Sequence, residues 1–323
     1  MKLARREFLH LAAAAAALPA LARRAMAQAY PSRPVRIIVG FAAAGFGDVI
    51  ARLMGQWLQE RIGQPFVIEN RPGAGGNMAT ELVVRAAPDG YALIWTQSSN
   101  AINASLYDRL NFNFIRDIAP VAGVVRSPLL MLVNPSFPAQ TVPEFIAYAK
   151  ANPGKVNMAS PGVGTTPHVA GELFKAMAGV DLVHVPYRSN PLPDLLAGQV
   201  QLYFNAIASS LEFVRAGQLR VLAVTTATRS ELLPGIPAIG EFVPGYEASA
   251  WQGIGAPRDT PAEIVRKLNQ EINLVLADPE VKTRLTGLGA VPMPMTPAEF
   301  GRLVAEETEK WGKVVHAANI KLD

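Results

Sequence analysis

Short apolar runs alternate with amphipathic helical stretches along most of this chain, and that alternation is what most limits how it can fold. Val35-Arg36-Ile37-Ile38-Val39 is a β-branched run of buried-strand length. The segment that follows, residues 48–62, carries Ile50, Leu53, Met54, Trp57 and Leu58 at i, i+3, i+4, i+7 and i+8, one face of a helix. Gly63 then suits the left-handed position just past a helix end. A strand over 66–69, a tight glycine loop over 71–76, and a helix capped by Asn77 and reaching Ala86 continue the pattern. Pro88-Asp89-Gly90 turns the chain into a strand over 91–95. Further strands are expected at 129–133, 156–159, 182–185, 201–204, 219–225 and 251–256. Three helices open with capping-box spacing, at Thr141/Glu144, Thr260/Glu263 and Thr296/Glu299. The pattern is that of an α/β protein with largely parallel sheets.

The N-terminus has a different logic. Lys2, Arg5 and Arg6 precede an Ala-rich apolar run over 11–22, and Ala25-Met26-Ala27 is a small-x-small cleavage site. Arg5-Arg6-Glu7-Phe8-Leu9-His10 resembles the twin-arginine export motif. The mild hydrophobicity of the run, with Arg23 and Arg24 behind it, suits that route better than the general secretory one. The run is shorter than the roughly 20 residues that span a bilayer. We therefore expect an export signal over 1–27, cleavage after Ala27, and a periplasmic mature chain.

The signal also accounts for the charge. It holds five of the 30 Lys/Arg and one of the 26 Asp/Glu, which leaves 25 of each in residues 28–323. The formal charge of +4 is thus no sign of nucleic-acid or membrane-surface binding. The absence of cysteine excludes disulfides, thiolate metal sites and a lipid-anchoring cysteine. His168, His184 and His316 are scattered without ligand spacing, so no metal site is expected. His184, between Val183 and Val185, reads as a sheet residue.

Two loops could hold a ligand. Gly40 to Gly47, containing Phe41, Ala42, Ala43, Gly45 and Phe46, leads from a strand into a helix N-terminus, where free N–H groups and the helix dipole favour an anion. A dinucleotide fingerprint competes for the same residues, but its third glycine would fall on Ile50 of the apolar helix stripe. A tight turn without a ligand is the other alternative. Ser160 to His168, with Gly164, Thr165 and Thr166, repeats the strand–loop–helix arrangement. Thr166 before Pro167 reads as an N-cap, which alone could account for that loop. No G-x-S-x-G marks a nucleophile elbow.

Several segments resemble one family when read in order: Val35 to Ala42 with Asp48, Glu69-Asn70-Arg71-Pro72-Gly73-Ala74-Gly75-Gly76-Asn77, Pro88-Asp89-Gly90-Tyr91, Ala151-Asn152-Pro153-Gly154-Lys155, Gly164-Thr165 with His168, Ala170-Gly171-Glu172-Leu173-Phe174, Val183-His184-Val185-Pro186-Tyr187, Leu195 to Val200 and Leu222 to Thr225. Together they are similar to the Bug family, the extracytoplasmic solute receptors of tripartite tricarboxylate transporters. The resemblance implies a two-lobed periplasmic binding protein fold of type II, with the ligand in the interlobe cleft. It implies a non-enzymatic, monomeric receptor without cofactor that hands a small organic carboxylate to membrane permease subunits. Lobe one would comprise 28–127 and 249–323, with lobe two inserted as 128–248. Candidate ligand residues are Phe41, Ala42, Ala43, Gly45, Phe46, Gly47, Ser98, Ser160, Gly164, Thr165, Thr166 and Asn205. The family usually has Ser or Thr at Gly47 and Asp at Asn205, and the loop over 188–193 looks shorter than usual. With Asn205 neutral, the resemblance points to an acid without an ammonium group. The alternatives are a periplasmic enzyme, which would need a nucleophile–base pair or metal cluster, and a sensor subunit. Gly164→Val is expected to weaken binding while leaving lobe one untouched.

Overall fold

In a computed structural model of the chain, the structure describes residues 30–231 and 233–322. The expected export signal and cleavage site lie outside the described residues. No helix among the described residues is long and apolar enough to cross a membrane.

Among the described residues the ten strands are β1 Val35–Val39, β2 Phe66–Asn70, β3 Ala92–Gln97, β4 Ile118–Val133, β5 Asn157–Ser160, β6 Val183–Pro186, β7 Leu202–Ala206, β8 Arg220–Val224, β9 Ser249–Pro257 and β10 Val291–Pro292. The helices are α1 Phe46–Ile62, α2 Asn77–Val84, α3 Ser98–Leu106, α4 Phe114–Asp117, α5 Val142–Ala151, α6 Thr166–Ala178, α7 Leu192–Leu196, α8 Ile207–Arg215, α9 Ala262–Ala277, α10 Pro279–Gly287 and α11 Pro297–Ala317. The expected elements are present, most with ends shifted by one or two residues. Gly63 takes the left-handed C-cap, with φ 78°.

The expected caps fared unevenly. Thr296 and Glu299 form a complete capping box. Thr141 accepts from the Glu144 amide, but Glu144 reaches back to the Gln140 amide instead of that of Thr141. Thr260 caps nothing: α9 begins after Pro261 and the Thr260 hydroxyl is buried without a partner. Asn77 is the first residue of α2, not its cap, and its side chain accepts from Asn103 Nδ2 at 2.9 Å.

The strand order is β2-β1-β3-β9-β4-β7-β5-β6, with β8 and β10 also on β4. The sheet is mixed, not largely parallel. β1 pairs in parallel with β2 and β3, as β5 does with β6 and β7, but β4 and β9 run antiparallel to their neighbours. The sequence hid β4, because Pro120, Gly123 and Pro128 break its first two-thirds. In the structure, register shifts beside Pro120 and Gly123 absorb those residues as bulges.

Strand directions decide where loops meet. β9 opposes β3 and β4 opposes β9, so β4 runs the same way as β1–β3. β7 opposes β4 and carries β5 and β6 with it. The C-terminal ends of β1–β3 and of β5–β7 therefore face each other along β4. Gln97, ending β3, is level with Gln252 and hence with Val125 on β4. Ala206, ending β7, is level with Leu129. Four residues of strand separate the two levels, about 13 Å at strand rise. The partner of β4 changes from β9 to β7 between Pro128 and Leu129.

Candidate functional site

The loop after β1 is built by a clamp that the sequence reading did not single out. Asp48, on the first turn of α1, is 2% exposed. Its carboxylate accepts from the Ala44 amide, from Arg52 Nε and from Asn70 Nδ2, each at 2.9 Å. Asn70 also donates to the Phe41 carbonyl at 3.0 Å and accepts from the Arg52 guanidinium at 2.9 Å. Burial pushes the Asp48 carboxyl up, but these donors outweigh it and hold the group below its usual range. The clamp holds Ala44 at φ 62°, a left-handed conformation that costs a non-glycine residue about 1–2 kcal/mol.

With both ends of the loop tied, its other amides are left over. Among the described residues, the N–H groups of Ala42, Ala43, Phe46, Gly47 and Asp48 meet no partner, while Gly45 closes a turn onto Ala42. Those of 46–48 belong to the open first turn of α1. Phe41, 37% exposed, stands at the rim against Gly76, where a Cβ would come within 3.3 Å of its ring. Ala42, Ala43 and Gly45 are exposed, Phe46 is half-buried, and Gly47 is buried. A Cβ on Gly47 would stand 3.0 Å from Gln97 Nε2, which is itself buried without a partner. A hydroxyl residue here would crowd Gln97, so glycine at 47 is also a packing choice.

The loop after β5 has its own scaffold. Ser160 is fully buried, and its hydroxyl accepts from the Gly162 amide, donates to the Gly162 carbonyl and lies 2.7 Å from His184 Nε2. His184 stacks on His168 with ring centroids 3.6 Å apart and planes 10° from parallel. His168 Nδ1 in turn accepts from the Gly164 amide at 3.0 Å. Gly164 is buried at φ 74°, and a Cβ there would overlap Leu106 of α3. A larger residue would therefore push on α3, against the expectation that lobe one would not feel the change. The N-cap of α6 is Thr165, one residue earlier than expected, and its hydroxyl donates to the Gly162 carbonyl at 2.8 Å. Thr166 is half-buried at the first helical position. Among the described residues, the N–H groups of Val163, Thr166 and His168 meet no partner.

Ser98 and Asn205 lie behind these loops. Ser98, 2% exposed, accepts from the Trp251 amide at 2.8 Å and so ties α3 to β9. Asn205, 7% exposed at the end of β7, donates to Ser210 Oγ at 3.0 Å.

The Ser160–His184 contact has the spacing of a nucleophile and its base. Its chemistry is otherwise wrong for that role. The serine has no exposed surface, Gly162 both donates to its hydroxyl and accepts from it, and among the described residues no carboxylate orients the imidazole. Burial, and then Lys175, push the His184 pKa down to about 4, far from a base useful near neutrality. Among the described residues, no group of His, Cys, Asp and Glu is arranged to hold a metal.

Comparison with known proteins agrees with this geometry. The profile of the family described as "Tripartite tricarboxylate transporter family receptor" matches residues 50–320. Protein BugT of Bordetella pertussis is 35% identical over 301 residues, covering 92% of both chains. Among solved structures, R. palustris Rpa4515 with adipate is 37% identical, with a TM-score of 0.79, over 90% of this chain and 99% of that one. MatC from Rhodopseudomonas palustris with bound malate is 33% identical, with a TM-score of 0.75, over 88% and 100%. The periplasmic binding protein BugD is 31% identical, with a TM-score of 0.75, over 90% and 99%. The fold is thus the two-lobed α/β fold of these binding proteins, and the chain belongs to the tripartite tricarboxylate transporter receptor family.

Proposed function

We propose that this protein captures a small organic carboxylate between two lobes and presents it to the membrane permease of a tripartite transporter. The observation that carries this reading is the pair of facing loops with amides unpaired among the described residues: Ala42, Ala43 and Phe46 to Asp48 on one side, Val163, Thr166 and His168 on the other. Two sets of N–H donors, each at a helix start, suit two carboxylates or one carboxylate and a polar tail. The donors are fixed before the ligand arrives, so little ordering cost is added on binding. Adipate and malate in the related structures fit that chemistry. The two lobes are 28–127 with 249–323, and 128–248, which places the hinge where β4 changes partner. Ligand shifts the lobes toward a closed form that the permease recognises. The protein acts as a receptor and not as an enzyme. It works in the periplasm as a monomer after cleavage between Ala27 and Gln28.

Asn205 sets the ligand class. An amide there offers no charge to a ligand ammonium, so an acid lacking that group is preferred over its amino-acid counterpart. Calorimetry on the chain from Gln28 onward, against adipate, malate, succinate and aspartate, tests both points. Tighter binding of succinate than aspartate is expected. Tighter binding of aspartate overturns the ligand class, and no heat with any diacid overturns carboxylate capture.

A further inference from the structure

Two of the four histidines meet face to face directly behind the loop after β5, although they are 16 positions apart in sequence and on different elements. The stack has a defined hydrogen-bond direction. His168 Nδ1 faces an N–H donor, the Gly164 amide, so Nδ1 carries no proton and the hydrogen sits on Nε2. Nε2 points toward Glu172 Oε1, 3.8 Å away, and Glu172 is paired with Lys175 at 2.9 Å. Ser160 already donates to the Gly162 carbonyl and accepts from the Gly162 amide. Its oxygen also lies 2.7 Å from His184 Nε2. The two imidazoles thus hold opposite ends of one loop, Ser160 and Gly164. Burial, with the neighbouring His184 and Lys175, lowers the His168 pKa to about 3, which keeps the ring neutral and its Nδ1 lone pair free at ordinary pH.

We propose that His168, braced by His184, is a positioning residue for ligand capture: it turns the Gly164 amide inward and thereby fixes which amides of this loop are left for the ligand. The inference rests on the receptor reading above. Of the loop's N–H groups, Gly162 goes to Ser160 and Gly164 to His168, while Thr165 reaches back to the Gly162 carbonyl at 3.4 Å. Val163, Thr166 and His168 remain. Without an acceptor at 168, Gly164 would have a buried unpaired donor, and the loop would turn to hydrate it. The free amides would then lose their common direction.

The test compares His168→Leu, which removes the acceptor, with His168→Gln, which restores an acceptor without an imidazole. Calorimetry with adipate and with malate gives affinity, and amide hydrogen exchange over residues 161–168 gives loop order. We expect His168→Leu to weaken binding at least tenfold and speed exchange, with His168→Gln recovering most of both. Wild-type affinity in His168→Leu, or no recovery in His168→Gln, overturns the proposal. Should His168→Leu not fold, nitrogen-15 NMR of the wild-type protein decides the matter. A neutral Nε2–H tautomer of His168, with scalar coupling from Nδ1 to the Gly164 nitrogen, supports it, and an Nδ1–H tautomer overturns it. If the wild type binds neither diacid while the NMR signature is present, the receptor reading fails and the loop geometry stands.

Discussion

Replacing Gly164 with alanine separates two costs that the structure superposes at one residue. The backbone sits at φ 74°, where an L-residue costs about 1–2 kcal/mol. The new methyl also overlaps Leu106 Cδ2 on α3, and forced overpacking of this kind costs about 1–3 kcal/mol. Gly164→Ala should therefore destabilise by about 2–5 kcal/mol. Leu106, 7% exposed, can be shortened to alanine at about 2–5 kcal/mol. In the Leu106→Ala background the overlap is gone, and Gly164→Ala should then cost only the backbone part, about 1–2 kcal/mol. The cycle should show a coupling of about 1–3 kcal/mol, favourable in the double variant. Urea unfolding of all four proteins, followed by the fluorescence of buried Trp95, Trp251 and Trp311 and by far-ultraviolet circular dichroism, measures it. Coincident transitions by the two signals justify the two-state treatment. Strictly additive costs, or a Gly164→Ala protein as stable as the wild type, would refute the claim that the loop and α3 pack through the missing side chain.

Four further outcomes follow from the same geometry. His168 is held neutral with a pKa near 3 but titrates near 6.5 when unfolded, so its contribution to stability is intact above pH 6.5 and lost as pH falls toward 3, at about 1.4 kcal/mol per pH unit; urea midpoints of wild type minus His168→Gln between pH 7 and 4 should show this slope, and a flat difference refutes it. Asp48→Asn weakens the clamp on Ala44, Arg52 and Asn70 and should cost about 2 kcal/mol along with a marked loss of diacid affinity, read by thermal melts and calorimetry. Asn205→Asp should shift preference from succinate toward aspartate in competition calorimetry; an unchanged ratio means residue 205 does not face the ligand. EDTA should leave the melting temperature and diacid affinity unchanged, and a large drop in either would reveal a metal that the described residues give no sign of.

Local order was legible in the sequence, because it depends on neighbours. The stripe from Ile50 to Leu58 marked α1 since burial on one helix face repeats every three to four residues. Gly63 marked its end, and Thr296 with Glu299 marked the start of α11. Both anion-friendly loops were visible as small residues between a strand and a helix. Thr260 shows the limit even locally: the same Thr-Pro-Ala-Glu run that forms a complete capping box at 296–299 leaves the Thr260 hydroxyl buried and unused at 260–263.

What the tertiary structure decided is the relation among distant pieces. The sequence put a lobe boundary at 127/128 but gave no sign that one strand, β4, runs unbroken across it from one set of partners to another, and that continuity turns the two sets of strand ends toward each other. Ser98, expected among the ligand residues, has its hydroxyl on the Trp251 amide, 153 positions away. Ser160, expected there too, meets His184, 24 positions away. Asp48 and Asn70 stood in sequence only as parts of two separate family-like segments, and they anchor the loop because β2 brings Asn70 beside Asp48. The composition and order of residues determine which segments must be buried and where the backbone can turn. Which buried polar group meets which depends on strand direction and packing, because each must find its hydrogen bond wherever the fold places a partner.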